Sequence, residues 1–156
     1  MRMLKKYLLF LCVLLSTATV SASAPSRPPK TVVKDAAAKT MLLGAHRLSL
    51  QWVSWDYFGK AIVTDKKGTL SIKGEQKARK GDDYVRIEGI ITEISAKEFK
   101  LDGSVEMKVS HINNGEPCKR QGELTFAIKG NRRYWRMQQM DNPCDGVTDY
   151  VDIYFR

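Results

Sequence analysis

Short runs in which apolar and polar residues alternate fill most of this chain after residue 45, and turn-forming residues separate them. Side chains alternate between the two faces of a β-strand, so each run predicts a strand with one buried face. Residues 84–94 predict the longest strand, with Val85, Ile87 and Ile91 on one face and Gly89 at a bend or bulge. Since no helical period persists here, the pattern predicts an all-β fold.

Turn formers stand between the runs at regular places, including Asp65 to Gly68, Asp102-Gly103 and Asn113 to Gly115. They predict hairpins, with Asp102-Gly103 as a strong hairpin signal, and hairpins join consecutive strands into an antiparallel meander. About eight such strands must close on themselves to avoid long exposed edges. We therefore expect one antiparallel meander barrel with a lipocalin-like or streptavidin-like shape; a two-sheet β-sandwich is the alternative.

The last quarter of the chain, residues 132–156, predicts a terminal hairpin with a wide loop around Cys144. Its first run places Trp135 and Met137 on one face, and its second places Val151 and Ile153 on one face. If both apolar faces are buried on the same side, Trp135 lies opposite Ile153 and Met137 opposite Val151. A register shifted by one residue would mix polar and apolar faces.

That register brings the polar residues together on the other face: Tyr134 opposite Tyr154, Arg136 opposite Asp152, and Gln138 opposite Tyr150. Tyrosine and arginine are enriched at interaction hot spots, so the candidate binding residues are Tyr134, Arg136, Tyr150, Asp152 and Tyr154. Cross-strand packing on a solvated face would explain the same residues without a ligand. We expect the Arg136–Asp152 pair to be solvent-exposed and worth about 0–1 kcal/mol.

The first residues carry the pattern of a secretory signal peptide. A basic start with Arg2, Lys5 and Lys6 precedes a short apolar run and then small residues. Cleavage after Ala22 is favoured over cleavage after Ala24, because Pro25 would follow the second site. The predicted domains are a signal peptide (1–22), a proline-rich linker with a short helix (23–45) and the β-barrel (46–156). An uncleaved anchor is the alternative, and after signal removal no transmembrane segment is expected.

Removal of the signal peptide also changes the charge and the cysteine content. It takes away three basic residues and no acid, so the formal net charge falls from +9 to +6. Cys118 and Cys144 are the two cysteines that remain, and an even pair in an oxidising compartment predicts one disulfide. Free thiols or a metal site are the alternatives, although the spacing matches no zinc motif. We expect an exported protein, periplasmic or extracellular.

The run YWRMQQMDNPCDGVTDYVDIYF, preceded by CKRQGELTF, resembles a block found in small exported bacterial proteins of unknown function. The resemblance covers the chain from Trp52 to the C-terminus. It implies an exported β domain, and it carries no catalytic residues over to this chain.

No phosphate-binding loop, nucleophile elbow or paired-histidine metal motif occurs, and no spacing nominates a catalytic triad. The basic residues are mostly scattered among acids, which gives no specific nucleic-acid signal. We therefore expect no enzyme activity, no cofactor and no metal. The predicted function is an exported binding protein for a small molecule or a cell-envelope component. The alternative is a protein-interaction module, such as an inhibitor of a secreted hydrolase.

Overall fold

A computed structural model of the protein describes residues 28–156, so the predicted signal peptide and residues 23–27 of the predicted linker lie outside the described residues. The elements are β1 (Val32–Val33), α1 (Ala36–Leu42), β2 (Gly44–Leu50), β3 (Gly59–Lys66), β4 (Thr69–Lys77), β5 (Tyr84–Ile94), β6 (Glu98–Lys108), β7 (Cys118–Ala127), β8 (Tyr134–Met137) and β9 (Val151–Tyr154). A short 3-10 turn covers Asn113–Gly115.

The strands from β2 to β9 form a closed antiparallel meander. Each pairs with the next along the chain, and β2 pairs with β9 to complete a ring of eight strands. In that closing pair Leu48 lies opposite Ile153 and Leu50 opposite Val151. The barrel prediction is therefore confirmed, and the two-sheet sandwich is not formed.

The interior of the barrel is filled by side chains. Phe99 and Phe126 stack with their ring centroids 5.0 Å apart, and Trp135 meets Phe99 edge-on at 6.0 Å. Around them lie fully buried side chains that alternate with outward-facing ones along each strand: Leu48, Leu50, Leu70, Ile72, Ile87, Ile91, Leu101 and Met107. This is a packed core of the kind that an eight-stranded barrel can fill with its own residues.

The predicted hairpin at Asp102-Gly103 is wrong, because β6 runs straight through it. Gly103 lies opposite Gly89 on β5 and opposite Gly122 on β7, so three glycines form a row across the sheet. A Cβ at Gly103 would collide with the carbonyl oxygen of Glu88. Glycines in such a row are typical of sheets that curve to form a barrel.

The described residues before the barrel pack against one of its ends. β1 runs parallel to the end of β5, and the Thr31 hydroxyl donates to the Ile91 carbonyl at 2.6 Å. The Asp35 carboxylate caps α1 by accepting a hydrogen bond from the Ala38 N–H at 2.7 Å. No helix in residues 28–156 is long and apolar enough to cross a membrane.

Candidate functional site

The two terminal strands pair in the predicted register. Tyr134 lies opposite Tyr154, Trp135 opposite Ile153, and Arg136 opposite Asp152. Trp135 and Ile153 enter the core, so the other two cross-strand pairs lie on the outer wall of the barrel. The structure therefore brings the predicted site residues of β8 and β9 together, as the burial argument required.

Arg136 and Asp152 form a bidentate ion pair that is buried, which corrects the expectation of a solvent-exposed pair. Arg136 Nε donates to Asp152 Oδ1 and Arg136 Nη2 donates to Oδ2, both at 2.7 Å. The Arg136 side chain is only 10% exposed and the Asp152 side chain is fully buried. The hydrogen-bonded Asp152 carboxylate raises the pKa of the Arg136 guanidinium above its ordinary value, so the cation is firmly held.

Two tyrosine rings lie against the ion pair on the outer wall, and a third packs on one of them. The Arg136 guanidinium carbon lies 4.1 Å from the centre of the Tyr150 ring and 5.1 Å from that of Tyr134. Tyr154 packs on Tyr134 with ring centroids 5.2 Å apart. All three tyrosines are half-buried, and the rings of Tyr134 and Tyr150 are the two that contact the Arg136 guanidinium. Such cation–π contacts gain strength as the cation loses water.

The aromatic surface continues onto β2 and the loop before β3, where the sequence had not suggested a site. The Arg47 guanidinium carbon lies 4.6 Å from the centre of the Phe58 ring and 5.3 Å from that of Tyr154. The Phe58 and Tyr154 rings meet edge-on at 5.0 Å. We call this surface the aromatic–arginine face; its residues are Arg47, Phe58, Tyr134, Arg136, Tyr150, Asp152 and Tyr154. The alternation along β2 predicts that Arg47 points outward. Its contact with Tyr154 could not be predicted, because it depends on the pairing of β2 with β9.

The backbone around Tyr150 is held by the end of β2. The Tyr150 N–H donates to Gln51 Oε1 at 2.7 Å, and Gln51 Nε2 donates to the Thr148 carbonyl at 2.7 Å. Ser49, directly opposite Asp152, is fully buried beneath the face. The backbone on both sides of Tyr150 is thus fixed to the residue that follows β2.

Beside this face, the segment between β8 and β9 covers a gap in the barrel wall. β8 pairs with the last part of β7 alone, through Phe126 and Ala127, so the start of β7 has no strand partner on that side. Residues 138–150 lie there instead, and the predicted disulfide between Cys118 and Cys144 ties them to β7. The disulfide prediction is confirmed, and the bond links residues 138–150 to the start of β7.

A second buried ion pair lies under the same segment. Arg120 Nη2 donates to Asp149 Oδ2 at 2.6 Å and to the Asp141 carbonyl at 2.8 Å. Asp149 also accepts hydrogen bonds from Trp52 Nε1 at 3.0 Å and Asn142 Nδ2 at 2.9 Å. Arg120 Nε and Nη1 are buried without a partner in the described part of the chain. This pair escaped the sequence analysis, because an arginine on the inward phase of a strand contradicts the apolar pattern.

A recess of about 530 Å³ adjoins the aromatic–arginine face through Arg47. Its lining combines cationic, aromatic and small residues: Ala45, His46, Arg47, Gly59, Lys60, Phe155 and Arg156. A smaller recess of about 310 Å³ lies on the opposite wall between β4 and β7, where Arg86 bonds Glu75 at 2.6 Å. Within residues 28–156, His, Cys, Asp and Glu side chains form no group of three that could hold a metal ion.

Comparison with known proteins finds a family relationship. The model of the PM1083 family matches residues 30–155, which is nearly all of the described chain. An uncharacterized protein PM1083 from Pasteurella multocida (strain Pm70) is 43% identical over 114 residues, covering 73% of this chain and 73% of that protein. No solved structure matches the chain.

Proposed function

The chain belongs to the PM1083 family, and for it we propose the function of an exported, non-enzymatic binding protein. In this proposal the aromatic–arginine face recognises a small molecule or a component of the cell envelope. The observation that carries it is the Arg136 guanidinium, which is fixed by Asp152 and lies against two half-buried tyrosine rings.

The arrangement suits binding because the rings are held in place before a ligand arrives. Tyr134, Tyr150 and Tyr154 offer broad apolar faces with hydroxyl groups at their edges. The Asp152 carboxylate holds the cation, so the tyrosines keep their positions without a ligand. A planar or ring-shaped ligand, such as a sugar ring or an aromatic group, can stack on rings of this kind and hydrogen-bond to their hydroxyls. The filled core favours this outer surface over a site inside the barrel.

Export is the second part of the proposal. It is supported by the predicted signal peptide and by the Cys118–Cys144 disulfide, since structural disulfides persist in oxidising compartments. Intact-mass measurement of the protein from a periplasmic or culture fraction should give a chain that begins at Ser23. A chain that stays in the cytoplasmic fraction with residues 1–22 attached would contradict export.

The alternative function, a protein-interaction module such as a hydrolase inhibitor, has one specific observation in its favour. Trp55 is 55% exposed in the loop between β2 and β3. Nearby, the Arg79 guanidinium carbon lies 4.3 Å from the Tyr57 ring centre. Exposed tryptophan beside arginine and tyrosine is the composition of an interaction hot spot. Trp55 is not one of the residues of the aromatic–arginine face, although Phe58 of the same loop is. Variants at Trp55 and at Tyr150 therefore test the two functions through different residues.

Native mass spectrometry on protein purified from its own host tests the proposal. We expect a retained small molecule in the wild type and its loss in Tyr150→Ala. The matched control is Tyr84→Ala, which removes a tyrosine with the same 4.1 Å contact to an arginine, Arg86, elsewhere on the wall. If Tyr150→Ala and Tyr84→Ala retain the small molecule equally, the aromatic–arginine face is not its binding site. A stoichiometric protein partner that Trp55→Ala abolishes would establish the alternative.

A further inference from the structure

We propose that the recess lined by Arg47, Lys60 and Arg156 binds a phosphate group. The inference rests on the proposed function in one respect, because the recess would hold the charged end of a ligand whose ring lies on the aromatic–arginine face. Arg47 belongs to both, since its guanidinium contacts Phe58 and Tyr154 while its side chain lines the recess.

The first observation is a pair of like charges on neighbouring strands. Arg47 on β2 lies directly opposite Lys60 on β3, and cations in that position repel each other. Neither forms an ion pair with an acid in residues 28–156. Glu75 lies opposite Lys60 on β4, but its carboxylate is bound by Arg86 at 2.6 Å and Lys77 at 3.3 Å. An anion between the two cations would remove this repulsion.

The third cation, the Arg156 guanidinium, lies close to the backbone of Gly44. Arg156 Nη2 donates to the Thr40 carbonyl at 3.0 Å, which fixes the guanidinium over Gly44. A Cβ at Gly44 would lie 3.1 Å from Arg156 Nη1, and Gly44 also has a φ of +102°, which other residues rarely adopt. Glycine therefore leaves the space that the guanidinium occupies. The other N–H groups of the Arg156 guanidinium can then donate hydrogen bonds to an anion.

The His46 ring in the recess is held by hydrogen bonds, and no Asp or Glu side chain lines the recess. His46 contacts the Tyr154 carbonyl through Nδ1 at 2.9 Å and the Leu42 carbonyl through Nε2 at 2.7 Å, so both ring nitrogens are engaged. Phe155 is half-buried and meets Trp135 with ring centroids 4.6 Å apart. The lining is thus partly aromatic, and its cationic side chains are those of Arg47, Lys60 and Arg156.

Three cations around one open recess favour a dianion over a single carboxylate. A phosphate monoester carries close to two negative charges near neutral pH, and its several oxygens can accept hydrogen bonds from both guanidinium and ammonium groups. The source of the phosphate is either a soluble molecule, such as a phosphorylated sugar, or a lipid headgroup. Both present the same chemistry to the recess.

Inorganic phosphate is the first probe, titrated into the full mature protein at constant ionic strength made up with chloride and followed by two-dimensional NMR. We expect saturable shifts at the amides of residues 45–47, 59–60 and 155–156. Lys60→Gln should weaken phosphate binding roughly tenfold, a size typical of losing one charge-assisted contact. Arg156→Gln is the second variant, in case Lys60→Gln perturbs the fold.

The control is Lys119→Gln, which removes an exposed cation from β7 on the other side of the barrel. Equal weakening by Lys60→Gln and Lys119→Gln would show attraction by net charge alone and would overturn the site. Absence of saturable shifts in the wild type would do the same.

The two sources are separated with glycerol phosphate and with vesicles of phosphatidylcholine, with and without phosphatidic acid. Binding to glycerol phosphate with no preference for phosphatidic acid vesicles assigns a soluble ligand; the reverse assigns a lipid headgroup. Tyr150→Ala separates this inference from the proposed function. We expect it to keep phosphate binding, so loss of the host ligand with phosphate binding intact would locate the two parts of one site. If the recess binds phosphate but no ligand binds to the aromatic–arginine face, the phosphate site is supported and the proposed function is not.

Discussion

Arg136 and Asp152 face each other across β8 and β9 and share two hydrogen bonds of 2.7 Å, with the carboxylate fully buried. This pair stands on the outer wall of a barrel, where a solvated salt bridge would be ordinary. The tyrosine rings of positions 134 and 150 exclude water from it instead. Its energetics should therefore follow those of buried ion pairs.

The first prediction concerns this pair. Asp152→Asn leaves a buried guanidinium without its counter-charge, and breaking a buried pair in this way costs about 3–5 kcal/mol. We expect a loss of that size in the free energy of unfolding measured by urea denaturation. The double variant Arg136→Met/Asp152→Leu should be destabilised less than Asp152→Asn, because it leaves no unpaired charge.

A surface pair provides the control for this experiment. Lys34 and Glu93 lie 2.8 Å apart with the Lys34 side chain 57% exposed, so solvent screens this pair and Glu93→Gln should lower the free energy of unfolding much less than Asp152→Asn does. Similar losses in Asp152→Asn and Glu93→Gln would contradict the buried character of the Arg136 pair.

Much of this fold was predictable because the strands are half-buried and their alternation is regular. The register of β8 and β9 followed from one requirement, that Trp135 and Ile153 enter the same core. The disulfide followed from two cysteines in a chain with an apparent signal peptide. These inferences depend on local pattern or on simple counting, which a single sequence contains.

Other features depend on how distant strands meet, and local pattern could not predict them. The burial of the Arg136–Asp152 pair requires Tyr150, which comes from the loop between the paired strands. The contact of Arg47 with Tyr154 requires the closing pair of β2 and β9. At Asp102-Gly103, by contrast, the error was avoidable: Phe99, Leu101, Val105 and Met107 keep one inward phase through it, as one continuous strand requires.

The second prediction tests the disulfide as a fastener of the segment 138–150. The closed loop has a sequence separation of 26 residues, for which the loop-entropy model gives about 3–4 kcal/mol. The double variant Cys118→Ala/Cys144→Ser should lose stability of that order in urea denaturation. Hydrogen exchange should rise most in residues 138–150 and at the start of β7, since the disulfide joins these two parts. A uniform rise over the whole barrel would contradict this local role.

The third prediction concerns the glycine row. In Gly103→Ala the new Cβ meets the carbonyl oxygen of Glu88, so strands β5 and β6 must move apart. Overpacking of this kind costs about 1–3 kcal/mol. Gly146→Ala is the matched control, because nothing lies within 4 Å of a Cβ at Gly146. Thermal unfolding should lower the melting temperature of Gly103→Ala clearly and leave that of Gly146→Ala almost unchanged; equal shifts would contradict the close approach at Gly103.

The fourth prediction is a dependence of stability on pH that comes from Asp145. Its carboxylate accepts hydrogen bonds from the backbone N–H groups of Asn113 and Gly146, both at 2.7 Å. The hydrogen bond from Asn113, followed by that from Gly146, lowers the pKa of Asp145 below its ordinary value. A carboxyl group whose pKa is lower in the folded than in the unfolded state stabilises the fold above the unfolded pKa. That contribution is lost as the pH falls through the folded pKa.

Asp145→Asn removes this carboxylate while keeping one oxygen acceptor. We expect the variant to be less stable than the wild type above the ordinary aspartate pKa of about 4, and the difference to shrink as the pH falls below it. Urea denaturation at a series of pH values measures the difference directly. Asp102→Asn, at an exposed position on β6, controls for the loss of one negative charge from a basic protein. A gap between wild type and Asp145→Asn that stays constant into the acid range would show that Asp145 acts through its shape, and that its charge makes no contribution to folding.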